Sequence, residues 1–263
     1  MEHQLIERAA VDIIHSKRTI AFTGAGISVE SGIPDFRGAQ GLWQKYDPEE
    51  YAHIHAFYSN PDRVWLMLKE MFSLIMIAKP NPAHIGLAKL ERMGLLSSVV
   101  TQNVDGLHQA AGSQNVIEFH GTHRTLSCLK CSTKIEGSSL TLEDLPPRCS
   151  HCSSLLKPDV VFFGEPIPWE AQVMSFKESK SCSAVLVIGT SAVVYPAATI
   201  PITAKEGGAV VIEINMEPTP LTDQISDYLI LGSASEIVAA IVEEVKRRSP
   251  LHSPLSPGGR EQR

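Results

Sequence analysis

The sequence contains no apolar run of about eighteen residues, the length that a membrane-spanning helix needs. Its first residues mix charged and apolar side chains at helical spacing, so they lack the basic start and unbroken apolar core of a signal peptide. Positive charge is not in excess either, because the 263 residues carry a net charge of −6. A chain without a basic field is a poor candidate for nucleic-acid binding. These absences predict a cytoplasmic protein that binds neither membranes nor nucleic acids directly.

Cysteine is scarce, with five residues in the chain, and disulfides are rare in the cytosol. Four of the five form two Cys-x-x-Cys pairs, Cys128 with Cys131 and Cys149 with Cys152. Two such turns complete a closed four-sulfur site for one structural Zn²⁺. Redox pairs or unrelated thiols are the alternative interpretation. Cys182 stands alone before a strand and is expected to be a buried small side chain.

The glycine fingerprint of ordinary dehydrogenases is also missing. Gly24 and Gly26 follow the apolar run 19–22 as the first two glycines of G-x-G-x-x-G would, but Val29 takes the third position. The loop, with Ser28, still lets backbone N–H groups approach a phosphate closely. A tight turn without a ligand is the other interpretation of such glycines.

A second turn of small residues follows another strand-like run, and it comprises Gly189, Thr190 and Ser191. Asn215 and Glu217 follow a further apolar run, where ribose hydroxyls are often held. Each feature alone is a weak signal, since small residues at strand ends are common. Together with the first loop they predict an NAD-like dinucleotide site with an altered phosphate loop.

Apolar periodicity predicts alternating helices and strands, as in an α/β fold. Helices are expected at 4–16, after the caps Asp47, Asn60 and Asn81, which precede prolines, and from the cap Ser233 to about 248. Strands are expected at 19–22, 97–101, 116–119, 184–188 and 209–214. Residues 47–79 read as a helical insertion, and the proline- and glycine-rich stretch 249–263 as a disordered tail.

Polar side chains suited to catalysis stand at the ends of two successive predicted strands. Gln102, Asn103 and Asp105 follow the first strand, and His120 follows the second. Histidine titrates near neutral pH, and amides with a carboxylate can bind a carboxamide, a ribose hydroxyl or a water. A structural histidine is the alternative, but the shared strand-end position favours a catalytic site.

An ordered series of motifs resembles the sirtuin family of NAD-dependent protein deacetylases, in its bacterial and archaeal form. The motifs are GAGISVESGIPDFRG at 24–38, TQNVDGLH at 101–108, His120 with Gly121, the four-cysteine module, VVFFGE at 160–165, GTS at 189–191 and INMEP at 214–218. The resemblance implies a Rossmann-like parallel-sheet domain (1–37, 86–121 and 164–248). It also implies a smaller domain made of a helical module (38–85) and a zinc-ribbon module (122–163), with the active site in the cleft between the two domains.

By position, the resemblance assigns a set of residues to NAD. The first group is the loop, with Gly24, Ala25, Gly26, Ser28, Asp35, Phe36 and Arg37. The second group would hold the nicotinamide ribose and carboxamide, with Gln102, Asn103 and Asp105. The third group would contact the phosphates and the adenosine end, with Gly189, Thr190, Ser191, Asn215, Glu217, Ser233 and Ala234.

The resemblance also implies roles in catalysis and peptide binding. His120 would be the general base, and Asn103 a second catalytic residue. The substrate peptide would pair as an added strand with a segment that comprises Val160, Phe162, Phe163, Gly164 and Glu165. From spacing alone, this segment reads instead as a plain sheet strand that leaves the zinc module.

The implied reaction consumes NAD. The acyl-lysine oxygen attacks C1′ of the nicotinamide ribose and nicotinamide leaves. His120 then helps to deprotonate a ribose hydroxyl, which attacks the resulting imidate. Water completes the transfer to give free lysine and O-acetyl-ADP-ribose, so the expected partners are acetylated-lysine proteins or peptides. The alternatives are transfer of ADP-ribose to protein, removal of long acyl chains, and a non-catalytic NAD-binding module.

One departure from the family pattern concerns the acyl group. Sirtuins that prefer acidic acyl groups carry a Tyr and an Arg three residues apart, where this chain has Leu68 and Met71. An apolar pair cannot neutralise a buried carboxylate. We therefore expect acetyl or a longer apolar acyl group, in a tunnel walled by Phe36, Val104 and Phe162.

Overall fold

The computed structural model describes residues 2–38, 41–140, 143 and 145–249. Except for Ser249, the predicted disordered tail at 249–263 lies outside these residues. The α-helices are α1 Glu2–His15, α2 Pro48–Tyr51, α3 Ile54–Ser59, α4 Pro61–Ile77, α5 Pro82–Arg92, α6 Leu107–Ala110, α7 Trp169–Ser181, α8 Thr199–Glu206 and α9 Ala234–Arg248. Within this part of the chain, none of them combines the length and apolar character that a membrane span requires.

A parallel sheet of six strands forms the larger part of the molecule. Its strands are β1 Thr19–Thr23, β2 Ser98–Thr101, β3 Val116–Glu118, β7 Ala184–Ile188, β8 Val210–Asn215 and β9 Tyr228–Leu231. They lie in the order β3-β2-β1-β7-β8-β9. The chain therefore fills one side of β1 first and then crosses to the other side, so the topological switch point falls between β1 and β7. In such sheets ligands bind at the carboxyl ends of the strands, at the switch point.

Helices cover both faces of this sheet. Helices α1, α5 and α9 bury apolar side chains against one face, and α8 does so against the other. Helix α7 lies on the face of α8 and adds the partly buried Ala171 and Phe176. The strands β1, β2 and β7 are buried at every residue, as expected for a parallel sheet between two helical layers. Cys182 is 5% exposed beside this core, which confirms its prediction as a buried small side chain.

The predicted helix starts are confirmed by their side-chain caps. Asp47, Asn60, Asn81 and Ser233 each accept a hydrogen bond from a backbone N–H in the first turn of α2, α4, α5 and α9, respectively. Each cap satisfies a donor that the helix leaves unpaired. Three of the four are followed by proline at the first helical position.

The smaller part of the molecule combines helices with a second sheet. Strands β4 Gly121–Cys128, β5 Lys134–Glu136 and β6 Leu156–Val160 form an antiparallel sheet in the order β5-β4-β6. Its apolar side shares one buried cluster with α3 and α4, in which Trp65, Phe57 and Leu126 are fully buried. The expected helical and zinc-ribbon modules are therefore present side by side.

The interpretation of 160–165 as a plain sheet strand is wrong beyond Val160. Strand β6 ends at Val160, and the following N–H groups bond to three different partners instead of to one ladder. Val161 N donates to His120 O, Phe162 N to the Glu165 carboxylate, and Phe163 N to the carbonyl oxygen of residue 52. The segment thus runs between the zinc-ribbon side, the sheet end and the helical module.

Candidate active site

A cavity of about 500 Å³ opens at the carboxyl ends of the parallel strands. Most of the residues that the sequence assigned to NAD and to peptide line it together. They are Gly24, Ala25, Gly26, Asp35, Phe36, Arg37, Gln102, Asn103, His120, Gly189, Thr190, Ser191, Asn215, Glu217, Val160, Phe162, Phe163, Gly164 and Glu165. The switch point of the sheet therefore opens into a single cleft that joins both predicted subsites.

The two glycine turns touch each other at the switch point. Gly26 N donates to Gly189 O over 2.8 Å, and a Cβ atom on Gly26 would lie 2.8 Å from the Gly189 Cα. Gly189 itself has φ +58°, a conformation that favours glycine. The missing side chains thus let the ends of β1 and β7 approach each other closely. After Gly24 the chain forms a 3₁₀-helix over Ala25–Ser31, where the sequence indicated only a loop.

His120 is held by the backbone of the neighbouring strand end. Its Nδ1 atom lies 3.2 Å from the Gln102 carbonyl oxygen, which can only accept, so Nδ1 carries the proton. Nε2 is then left with a lone pair in the cavity that His120 lines. Burial lowers the pKa of His120, and the bond to Gln102 offsets this only in part. The imidazole is therefore neutral at physiological pH, as a general base must be.

Asn103 is oriented by two acceptors. Its Nδ2 donates to Gly24 O and to Ser28 Oγ, each over 3.1 Å. With both amide protons engaged, the side-chain oxygen of Asn103 is the group left to meet a ligand. The amide can therefore accept a hydrogen bond from a hydroxyl or a water in the cavity.

Four predicted NAD residues do not line the cavity. Ser28 and Asp105 are buried and bonded to each other over 2.7 Å. Ser233 caps α9 and donates to Glu30 over 2.8 Å, with Ala234 as the first residue of the helix. The roles of these four residues toward NAD stay predictions.

Two buried histidines lie behind the cavity lining, and the sequence did not predict that they form a pair. The rings of His84 and His108 lie 4.8 Å apart, and neither residue is more than 1% exposed. His108 Nε2 lies 3.0 Å from Thr23 Oγ1, and His84 forms a capping box with Asn81. Burial lowers the pKa of His84 to about 4, although Asp105 opposes the shift. The Asn81-x-x-His84 spacing was the available signal, but it indicated only a helix start.

The segment 160–165 is fixed by a partly buried ion pair. Lys157 Nζ lies 2.9 Å from Glu165 Oε2 and donates to Val160 O over 2.8 Å, and the Lys157 side chain is only 11% exposed. Glu165 Oε2 also accepts from Phe162 N over 2.9 Å. Within the described residues, Gly164 has the one N–H of 161–165 that makes no bond inside the chain. The Glu165 carboxylate therefore shapes the segment instead of pointing a free charge at a ligand.

One end of the cavity is apolar. Helix α4 contributes Met67, Leu68, Met71 and Phe72, and the predicted tunnel residues Phe36, Val104 and Phe162 also line it. The two positions that would carry Tyr and Arg in enzymes for acidic acyl groups thus face the cavity, as the sequence pattern predicted. No charge from either of them is available to a bound carboxylate.

The four clustered cysteines fit one Zn²⁺. Their Sγ atoms all lie within 4.8 Å of one another. Zinc–sulfur bonds of about 2.3 Å in a tetrahedron place sulfurs about 3.8 Å apart, and the observed Cys128–Cys152 and Cys131–Cys149 separations are 3.5 and 3.6 Å. The residues after the two pairs, Ser132 and Ser153, have nearly equal positive φ angles of 58° and 57°. The two halves of the site therefore have the same turn geometry.

Comparison with known proteins identifies the family. The Sir2 family model matches residues 24–196. The chain belongs to the Sir2 family, the sirtuins. It is accordingly an NAD-dependent protein deacylase, and its four cysteines match the single structural zinc that the sequence predicted.

Individual sirtuins are similar over nearly their whole length. The NAD-dependent protein deacylase of Pyrococcus abyssi is 50% identical over 92% of this chain and 98% of the relative. A Sir2 homologue solved with ADP-ribose superposes with a TM-score of 0.88 at 43% identity, over 91% of this chain and 96% of the other. A further sirtuin, solved with a myristoylated histone peptide, gives a TM-score of 0.80 at 41% identity, over 93% and 97%.

Proposed function

We propose that this sirtuin is a protein-lysine deacetylase, which transfers the acetyl group of acetyl-lysine to the ADP-ribose part of NAD and releases nicotinamide. The observation that carries the proposal is the neutral His120, with its Nε2 lone pair in a cavity that also holds two glycine turns and the segment 160–165. NAD supplies the reactive C1′ and the ribose hydroxyls. The substrates are acetylated-lysine proteins or peptides.

His120 acts as the general base in this proposal. Its Nδ1–H stays bonded to the Gln102 carbonyl oxygen, so Nε2 is the atom that accepts the proton of a ribose hydroxyl. Asn103 presents its amide oxygen beside the same space, because both amide protons are engaged by Gly24 and Ser28. The glycine turns and Asn215 are assigned to the phosphates and the adenosine end.

The segment 160–165 is assigned to the peptide. It lies between the sheet end and the helical module, and the ion pair of Lys157 with Glu165 holds its shape. A bound peptide strand would pair with carbonyl oxygens of this segment and with the Gly164 N–H, because the other N–H groups of 161–165 donate within the chain. Such backbone pairing places little demand on the sequence of the peptide.

The acyl group enters the apolar end of the cavity. Leu68 and Met71 admit an uncharged acyl group and leave a succinyl carboxylate without a partner. Removal of longer apolar acyl groups is a second candidate activity, because four apolar residues of α4 line this end. The similar sirtuin bound to a myristoylated histone peptide supports this candidate.

The proposal is tested with the purified full chain, NAD and a peptide that carries acetyl-, succinyl- or myristoyl-lysine. Mass spectrometry follows the free peptide, nicotinamide and O-acyl-ADP-ribose. Deacetylation should require both NAD and the peptide and should form one acyl-ADP-ribose for each nicotinamide. A mass gain on protein instead of loss of acetyl would show ADP-ribosyl transfer, and release of no nicotinamide would show a binding module.

A further inference from the structure

A hydrogen bond between two side chains crosses the end of the central strand. Gln102 follows β2 and Thr190 follows β7, and these strands are not neighbours because β1 lies between them. Gln102 Nε2 nevertheless donates to Thr190 Oγ1 over 2.9 Å. The bond therefore passes over the carboxyl end of β1, at the switch point of the sheet.

Gly24 makes room for this crossing. A Cβ atom on Gly24 would lie 2.7 Å from the Thr190 Cβ, which is closer than real Cβ atoms come, and 3.0 Å from its Oγ1. The Thr190 side chain thus rests on the bare backbone of Gly24 as it reaches toward Gln102. The first glycine of the loop is needed for this side-chain bridge, in addition to any phosphate that the loop admits.

Thr190 joins three strand ends. Its hydroxyl also accepts from Ala192 N over 3.1 Å, and its carbonyl oxygen accepts from Asn215 Nδ2 over 3.1 Å. Asn215 closes β8, so the ends of β2, β7 and β8 are connected through one residue. Thr190 itself is 7% exposed and lines the cavity.

The bridge fixes the direction of the Gln102 amide. Its Nε2 faces Thr190 Oγ1 and lies 3.4 Å from Thr23 O, and both of these atoms accept from it. The other end of the amide, Oε1, is then an acceptor and cannot donate. If the Gln102 amide were flipped, its Oε1 would face the carbonyl oxygen of Thr23, and two acceptors would repel each other. The hydrogen bonds therefore allow one orientation of the Gln102 amide.

We propose that Thr190 is a positioning residue, which holds the Gln102 amide so that its oxygen accepts a hydrogen bond from a ribose hydroxyl of NAD. This inference rests on the NAD site proposed above. It gives Thr190 a role through Gln102, in addition to the contact with NAD that the resemblance assigns to it together with Gly189 and Ser191. The bridge links the nicotinamide-ribose half of the cleft to the phosphate half.

The test uses the full chain and compares near-isosteric variants. Thr190→Val removes the hydroxyl and keeps the shape, Thr190→Ser keeps the hydroxyl, and Gln102→Ala removes the donor. Thr203→Val on α8, outside the cavity lining, is the matched control. The Kd for NAD is measured by calorimetry without peptide, and KM for NAD and for acetyl-peptide are measured separately. Thermal melting monitors folding.

We expect Thr190→Val to raise the Kd for NAD about fivefold to tenfold, with little change in KM for the peptide, and Thr190→Ser to restore most of the affinity. The double variant with Gln102→Ala should bind NAD no worse than Gln102→Ala alone, because without the Gln102 amide the Thr190 hydroxyl has no group to position toward NAD. Thr203→Val should bind like the original chain.

Three results would overturn the inference. These are an unchanged Kd in folded Thr190→Val, equal losses in Thr190→Val and Thr190→Ser, and additive losses in the double variant. If Thr190→Val fails to melt cooperatively, Thr190→Ser is combined with Gln102→Ala and compared with Gln102→Ala alone. A weaker affinity for NAD in this double variant would also contradict the bridge. A chain that binds NAD but removes no acyl group would refute the proposed function alone, and a chain that binds no NAD would refute both.

Discussion

The Nδ1 atom of His120 lies 3.2 Å from the carbonyl oxygen of Gln102, and this contact decides which ring nitrogen is basic. Because a carbonyl oxygen cannot donate, the proton sits on Nδ1 and the lone pair on Nε2. Gln102 follows β2 and His120 follows β3, so this contact joins the ends of two neighbouring strands. The backbone of Gln102 fixes the imidazole of His120.

The pH dependence of catalysis follows from the burial of His120. Burial lowers its pKa from the ordinary value of 6.5, so the neutral, active form persists below that pH. We expect kcat/KM to fall on the acid side only below about pH 6.5. His120→Ala should lose a factor of about 10² to 10⁴ in kcat. The exposed His15→Ala is the control, and an acid limb above pH 7 would contradict the assignment.

The ion pair of Lys157 and Glu165 should control peptide binding. Lys157→Met removes the counter-ion of the Glu165 carboxylate and the side-chain donor to the Val160 carbonyl, so the segment 160–165 loses its tie to β6. We expect KM for the acetyl-peptide to rise about tenfold, equivalent to about 1.4 kcal/mol, with KM for NAD unchanged. Steady-state kinetics with each substrate varied in turn measures the two KM values separately.

The control for Lys157 is Lys134→Met. Lys134 pairs with Asp159 in the same small sheet, but its side chain is 62% exposed, so the loss should be small. Equal effects of the two variants on the peptide KM would argue that the small sheet is merely destabilised.

The acyl preference should change with charge on α4. We expect the chain to remove acetyl at least about ten times faster than succinyl, because burial of an unpaired carboxylate costs several kcal/mol. Leu68→Tyr with Met71→Arg should raise activity on succinyl-lysine and lower it on acetyl-lysine. Leu66→Arg, on the exposed side of the same helix, should change neither rate. Faster removal of succinyl by the unmodified chain would refute the argument.

Zinc should hold the small sheet together. Metal analysis should find about one zinc per chain, and a chelator should remove it with a fall in melting temperature. Cys128→Ser should lose zinc, and activity should fall with it because β6 leads directly into the segment 160–165. Cys182→Ala should keep its zinc. Retained stability and activity after complete zinc removal would contradict a structural role.

The buried histidines should make the fold sensitive to acid. His84 has its pKa lowered to about 4 by burial, so the folded state resists a proton that the unfolded chain takes up at about 6.5. The free energy of unfolding should therefore fall as the pH drops from about 6.5 toward 4. Urea titrations at several pH values give the free energy of unfolding at each pH. Its dependence on pH should be weaker in His84→Asn and unchanged in the exposed His3→Asn. The same pH dependence in the original chain and in both variants would contradict His84 as the source.

Local signals in the sequence were sufficient for much of the fold. Buried β-branched runs marked β1, β2, β7 and β8, and side-chain caps marked the starts of α2, α4, α5 and α9. Helix α7 was missed because its buried residues are the polar Ser175, Glu178 and Ser179, so no apolar stripe marks it. Strand β9 was missed because only four residues form it at the edge of the sheet.

The site was predictable as a set of residues, but its internal contacts were not. Strand ends and family motifs indicated Gln102, His120 and Thr190, yet Gln102 and Thr190 stand 88 positions apart and meet only through the strand order. The pairing of Glu165 with Lys157 likewise depends on the reversal of the chain after β6. Side-chain partners fixed by topology carry no local signal.

The most direct test of the central claim is the release of nicotinamide from NAD by the purified chain, measured with and without an acetyl-lysine peptide. We predict release that depends on the peptide, with one O-acetyl-ADP-ribose and one free lysine formed for each nicotinamide. In His120→Ala we predict the near loss of both of these products, because His120 acts after nicotinamide has left. Equal nicotinamide release with acetylated and unmodified peptide, or full deacetylation by His120→Ala, would contradict the account.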